Sequence, residues 1–146
     1  MDNTGGTPAI HFDTPEIFEF SVTGITLSVN AKLLSPDRSG KVESLVFRDF
    51  KINGLAVEIA DHKTSFEFKR GELVQLPQPS YIFLPTPNVL RGAWREATGS
   101  KQKWNVTGRI FVLGTFTKFG MKFKRAVPVE IDVLIDNPLK EYFASH

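Results

Sequence analysis

Apolar and polar residues alternate along most of this chain, and that alternation restricts it to a fold built of strands. Ile25, Leu27, Val29, Ala31 and Leu33 take turns with Thr26, Ser28, Asn30 and Lys32. Successive side chains of a strand point to opposite faces, so this run is apolar on one side and polar on the other. Near the other end Trp104, Val106, Ile110, Val112 and Phe116 share one parity. Met121, Phe123, Val127, Val129, Ile131 and Val133 answer them, with Lys118-Phe119-Gly120 between the two rows. Gly120 tolerates a positive φ, so these rows read as one long hairpin with its turn at 118–120.

Turn chemistry divides the rest. Asn53-Gly54 stands between Val46-Phe47-Arg48-Asp49-Phe50-Lys51-Ile52 and Leu55-Ala56-Val57-Glu58-Ile59. Asn-Gly suits a type I′ turn, whose two central residues both need positive φ. Residues 17–20 form a short strand before the first long one, with Gly24 as a bulge between them. Residues 35–40, Ser-Pro-Asp-Arg-Ser-Gly, break the pattern as a turn. A strand follows at 64–69, with Phe66 and Phe68 on one face. Short extended pieces at 73–76 and 81–84 lie among Pro77, Pro79, Pro85 and Pro87. Proline cannot donate to a ladder, so this stretch reads as an edge or a connection.

One segment has period 3.6. Leu90, Ala93, Trp94 and Ala97 fall at i, i+3, i+4 and i+7 behind Thr86-Pro87, with Gly99 beyond. That is a short amphipathic helix over about residues 87–97. Many strands with one late helix indicate an all-β, antiparallel sandwich of the immunoglobulin-like kind. It occupies residues 16–136, between a flexible leader at 1–15 and a short tail at 137–146.

With 146 residues, 41% of them hydrophobic and 13 of them Phe, the chain has the size and the apolar content of one globular domain. It has no Cys, which removes disulfides, thiolate metal sites and cysteine nucleophiles. The first ten residues carry neither the basic cluster nor the apolar core of an export signal. A periplasmic or membrane-anchored protein would need such a signal ahead of Met1; otherwise the expectation is cytoplasmic.

Catalytic patterns are missing. There is no phosphate-binding glycine loop, no His-Glu-x-x-His and no Gly-x-Ser-x-Gly. His11, His62 and His146 have no spacing that suggests metal ligation, and His62 beside Asp61 reads as solvated turn chemistry. Glu130 and Asp132 share a strand face opposite Val129, Ile131 and Val133, and Glu16 lies near Glu19. Both pairs read as solvated carboxylates, not acid–base pairs. No enzyme, metal or cofactor is expected.

Charge is unevenly placed although its net value is only +2. Residues 1–31 hold Asp2, Asp13, Glu16 and Glu19 and no Lys or Arg. Residues 101–129 hold seven basic residues and no acid. Within them Lys118, Phe119, Lys122, Lys124 and Arg125 form a basic hairpin end interleaved with apolar residues, a candidate contact for an anionic surface. Phe111, Phe116, Phe119 and Phe123 near these cations match no RNA-binding sheet motif, so they read as core and no nucleic-acid partner is expected.

The layout resembles the WHy (water stress and hypersensitive response) domain of the type 2 late embryogenesis abundant family. The matching pieces are residues 25–33, the Ile52-Asn53-Gly54-Leu55-Ala56-Val57 hairpin, the proline-bearing 74–85, and 88–97. Trp104-Asn105-Val106-Thr107-Gly108-Arg109-Ile110-Phe111-Val112 and the return strand with Val127-Pro128-Val129 complete it. Where the family carries Asn-Pro-Asn or Asn-Pro-Tyr, this chain has Ser35-Pro36-Asp37. The resemblance implies a fibronectin type III-like sandwich and a non-enzymatic, monomeric module that protects during desiccation, cold or water stress. Its partners would be labile client proteins or membrane surfaces, with anionic lipid among them. Two rival expectations are an extracytoplasmic lipid-contacting domain and a structural module of a larger assembly.

Overall fold

The computed structural model describes residues 8–85 and 103–138. They form β1 (Ala9–Phe12), β2 (Glu16–Ser21), β3 (Gly24–Val29), β4 (Ala31–Leu34), β5 (Ser39–Ile52) and β6 (Leu55–Ala56). Then come β7 (Glu58–Ile59), β8 (Phe66–Phe68), β9 (Leu73–Gln75), β10 (Ser80–Pro85), β11 (Lys103–Lys118) and β12 (Met121–Asp136). Every strand pairing is antiparallel. The largest sheet runs β12-β11-β5-β6, with β8 also on β5. A second runs β2-β3-β10-β7 and a third β1-β4-β9. Their inward side chains form a single core with Trp104, Phe116, Leu27, Leu33 and Leu45 wholly buried. The fold is thus an all-β antiparallel sandwich, not a closed barrel. The helix expected at 87–97 lies outside the described residues, as does the tail beyond Pro138.

Several expectations need correction. The run 25–33 is two strands, because partners change at Asn30: Val29 pairs with Ser80 of β10, Ala31 with Phe12 of β1. Changing neighbours leaves the parity of the side chains untouched, so alternation alone does not reveal it. Part of the expected leader is ordered sheet: Ala9–Phe12 pairs with β4, and Ile10 is buried. Gly24 is no bulge; it opens β3, and the irregularity falls between Ile17 and Glu19 of β2. The proline-bearing stretch is not an edge at β10, which lies between β3 and β7. Pro77 and Pro79 precede that strand and Pro85 ends it, so none interrupts its interior. Asn53 and Gly54 have φ of 50° and 85°, as the expected hairpin turn requires, but its return strand β6 is only two residues long. The chain then crosses, and β7 joins β10.

β5 holds the large sheet together and is bulged twice. Against β11 its register slips between Thr107 and Arg109 and again between Leu113 and Gly114. Each slip adds a residue to β5, so its buried positions change parity: Val42, then Leu45 and Phe47, then Phe50 and Ile52. Asp49 sits at the first slip with φ of 57°. Phe50 there lies flat on the neighbouring strand: a Cβ on Gly108 would come within 2.5 Å of its ring. Glycine is therefore required at 108 by an aromatic packed over it. Gly108→Ala should destabilise the protein by about 1–3 kcal/mol, the usual cost of overpacking, as read by urea unfolding.

His62 also departs from expectation. Its backbone bridges Leu45 on the outer side of β5, with N···O distances of 2.8 and 2.9 Å. The ring turns inward, is buried, and meets Phe66 edge-on at 6.1 Å. Neither ring nitrogen finds a hydrogen-bond partner among the described residues. Burial holds its pKa below the ordinary 6.5, because the interior disfavours the charged imidazolium; the backbone of Gln78 and of His62 itself opposes this less strongly. The unfolded chain then binds the proton more readily than the folded one. Stability is complete above about pH 6.5 and declines as pH falls through that value. Urea midpoints measured at pH 7.5 and 5.5 should show this loss, and His62→Phe should reduce it; an equal loss in the variant would exclude His62 as its source.

Candidate functional site

The hairpin of β11 and β12 pairs without interruption from Lys103↔Asp136 to Lys118↔Met121. Its turn consists of Phe119 and Gly120, with φ of 55° and 76°. Alternation sorts the candidate residues by face. Lys118 is on the parity of the buried Trp104 and Phe116, and across the ladder Met121, Phe123 and Arg125 share that inner face. Lys122 and Lys124 are on the outer face, opposite Thr117 and Thr115. The five candidates thus share one hairpin end but form two surfaces.

The inner surface corrects the expected core. Phe116 is buried against Phe68, their ring centroids 5.6 Å apart. Phe119 is 92% exposed and Met121 60%, and Phe123 is at the edge of solvent. Phe123 pairs with Phe116 but lies on β12, and among the described residues no strand covers the far side of β12. Position in the strand order, not parity, decides which of these aromatics is core.

Two residues of the expected turn at 35–40, Asp37 and Arg38, complete this end. Ser39 pairs with Thr117, so the loop before β5 sits beside the hairpin tip. Asp37 there accepts a hydrogen bond from Lys118 Nζ at 3.1 Å and one from Arg38 Nε at 3.2 Å. Burial alone would raise the Asp37 pKa, but the bonds from Lys118 and Arg38 and their charges outweigh it and hold the carboxyl below 3.8. Arg38 lies over the Phe116 ring at 6.0 Å and Arg125 over Phe123 at 5.6 Å. Nothing local joins positions 37 and 118; only the register of β5 on β11 does. Carboxyl NMR should show Asp37 titrating below the ordinary aspartate, and Lys118→Met should move it upward.

Three cations elsewhere on the large sheet are matched, whereas Lys41 and Lys51 of β5 have no ion pair among the described residues. Lys103 pairs with Asp136, Arg109 with Glu130 at 2.6 Å and Arg48 with Asp61 at 3.6 Å. Asn105 donates to Asp132 at 3.0 Å, so Glu130 and Asp132 are exposed partners of polar neighbours on β11. Among the described residues Lys122, Lys124 and Arg125 have no carboxylate within ion-pair distance. A second exposed aromatic group, Phe18 on Tyr81 at 4.9 Å, has Glu16 and Glu19 on the same strand as Phe18. No cluster of three or more metal-ligating side chains occurs among the described residues. No helix among them is long and apolar enough to cross a membrane.

No family model and no curated protein matches this chain. Among the solved structures similar to it are the following two. One is a crystal structure of a protein from Archaeoglobus fulgidus, 13% identical over 86% of this chain and 94% of that one, with a TM-score of 0.41. The other is the solution structure of a proposed late embryogenesis abundant (LEA) protein, 11% identical over 90% of this chain and 72% of that one, with a TM-score of 0.40.

Proposed function

We propose that the protein is a non-enzymatic, stress-protective binding module whose contact element is the β11–β12 tip and whose counterpart is an anionic lipid surface. The observation that carries this reading is Phe119. A two-residue turn with positive φ at both positions favours Asn, Asp or Gly, and the fold obeys that rule at Asn53-Gly54. At the tip it places a phenylalanine in the left-handed region and leaves the ring 92% exposed. Left-handed backbone costs an L-residue roughly 1–2 kcal/mol, and an exposed ring recovers little by burial. Such strain at an exposed position is what a contact site retains and a purely structural turn does not. Met121 and Phe123 extend the apolar surface, while Lys122 and Lys124 supply charge that no carboxylate among the described residues neutralises. The protective role implied by the resemblance would be exercised through this contact.

Co-sedimentation with phosphatidylserine-containing vesicles tests the reading, with phosphatidylcholine vesicles as control. Binding should be selective for the anionic vesicles and weaken with salt; no binding at low salt would end the proposal. Each basic residue near such a surface contributes about 1 kcal/mol, so Lys122→Gln with Lys124→Gln should weaken binding on the order of thirtyfold. Phe119→Asn should separate fold from function. It should stabilise the protein by about 1 kcal/mol while lowering vesicle affinity. For the protective role, an enzyme dried with this protein should retain more activity than one dried with albumin at equal mass.

A further inference from the structure

The inner face of the tip holds a cleft of 320 Å³ whose exposed lining is almost wholly apolar. Phe116, Met121 and Phe123 form its walls, Phe119 stands at its mouth, and Arg38 and Arg125 border it. That volume is at the lower end of the roughly 300–1,000 Å³ typical of small-molecule sites. An apolar cleft bordered by guanidinium groups suits a ligand that is apolar along its length and anionic at one end. We infer that this cleft takes the single alkyl chain of a fatty-acid anion, with the carboxylate on Arg125.

Charge complementarity selects this occupant. Arg125 has no ion-pair partner among the described residues and is steadied over the Phe123 ring, whereas Arg38 is already engaged by Asp37. A planar guanidinium donates two parallel hydrogen bonds to a carboxylate. The border holds Arg38, Lys118 and Arg125 against the single carboxylate of Asp37, which keeps it cationic. A neutral alkyl chain would fill the walls and leave Arg125 unanswered. A small anion such as acetate would meet Arg125 and leave the walls wet. The outer-face Lys122 and Lys124 take no part, because the strand points them away from the cleft.

The inference rests on the lipid-facing reading of the tip, but its test uses no membrane. Dodecanoate, kept below its micelle concentration, is titrated into the full chain and followed by amide and methyl NMR and by calorimetry. Saturable binding is expected, with shifts centred on Phe116, Met121 and Phe123. Dodecyl maltoside and acetate should each bind at least tenfold more weakly. Met121→Ser with Phe123→Ser, both near solvent and so tolerable to the fold, should lose roughly tenfold or more in dodecanoate affinity. Arg125→Gln should remove the preference for dodecanoate over dodecyl maltoside. Lys122→Gln with Lys124→Gln should leave dodecanoate binding unchanged while weakening vesicle binding, which separates failure of the cleft from failure of membrane contact. No saturable binding, equal binding of dodecyl maltoside or acetate, or undiminished binding by the Met121/Phe123 variant would each overturn the assignment. Tryptophan fluorescence, to which the buried Trp104 contributes, together with the amide NMR dispersion reports that each variant is folded.

Discussion

The pairing of β11 on both its sides is the constraint on which the rest of the structure depends. β12 matches it residue for residue from Lys103 to Lys118, and β5 follows it from Val106 to Thr117. Its inward row contributes Trp104, Ile110, Val112 and Phe116, all essentially inaccessible to water. At roughly 25 cal/mol per Å² of apolar surface, burial of such side chains is the main favourable term the fold possesses. β5 conforms to this straight strand by bulging twice, and the left-handed Asp49 and the Phe50 ring laid on Gly108 are the local cost of doing so.

The same constraint builds the hairpin end that holds the candidate residues. Because β5 pairs with β11 up to Ser39↔Thr117, the loop before β5 arrives beside the turn of the hairpin. Asp37 then binds Lys118, 81 positions away in sequence, as well as the adjacent Arg38. Exposed ion pairs contribute little to stability, commonly 0–1 kcal/mol, so this one matters more for where it holds the two cations. Arg125 on one face and Lys122 and Lys124 on the other have no carboxylate partner among the described residues.

How much of this was legible in the sequence follows from the range of each signal. The long hairpin, the Asn53-Gly54 turn and the buried parity of β11 were readable, because period and turn chemistry are local. The division of 25–33 was not, since exchange of partners at Asn30 leaves the alternation intact. β5 was recognised only from Val46, because its bulges scatter Val42, Leu45 and Phe50 across both parities. His62 looked like turn chemistry because its burial comes from a bridge to Leu45, seventeen positions away. The candidate cations were found from charge bias alone. Their sorting onto two faces needed the register, and the contribution of Asp37 and Arg38 needed the tertiary fold.

The edge strand explains how apolar side chains can stay uncovered at this tip. A sixteen-residue strand with one open side offers unpaired backbone groups to any other strand, a known route to aggregation. β12 carries Pro128 at its middle, paired with Phe111, and a proline without an N–H is tolerated there because no strand among the described residues lies beyond. Lys122 and Lys124 precede it, and charged side chains on an edge oppose strand addition in the same way. The backbone of β12 is thereby guarded along the half that carries Met121 and Phe123. What remains open at the tip is side-chain surface, apolar within and cationic around it. The contact proposed for this tip therefore rests on side chains and not on strand addition.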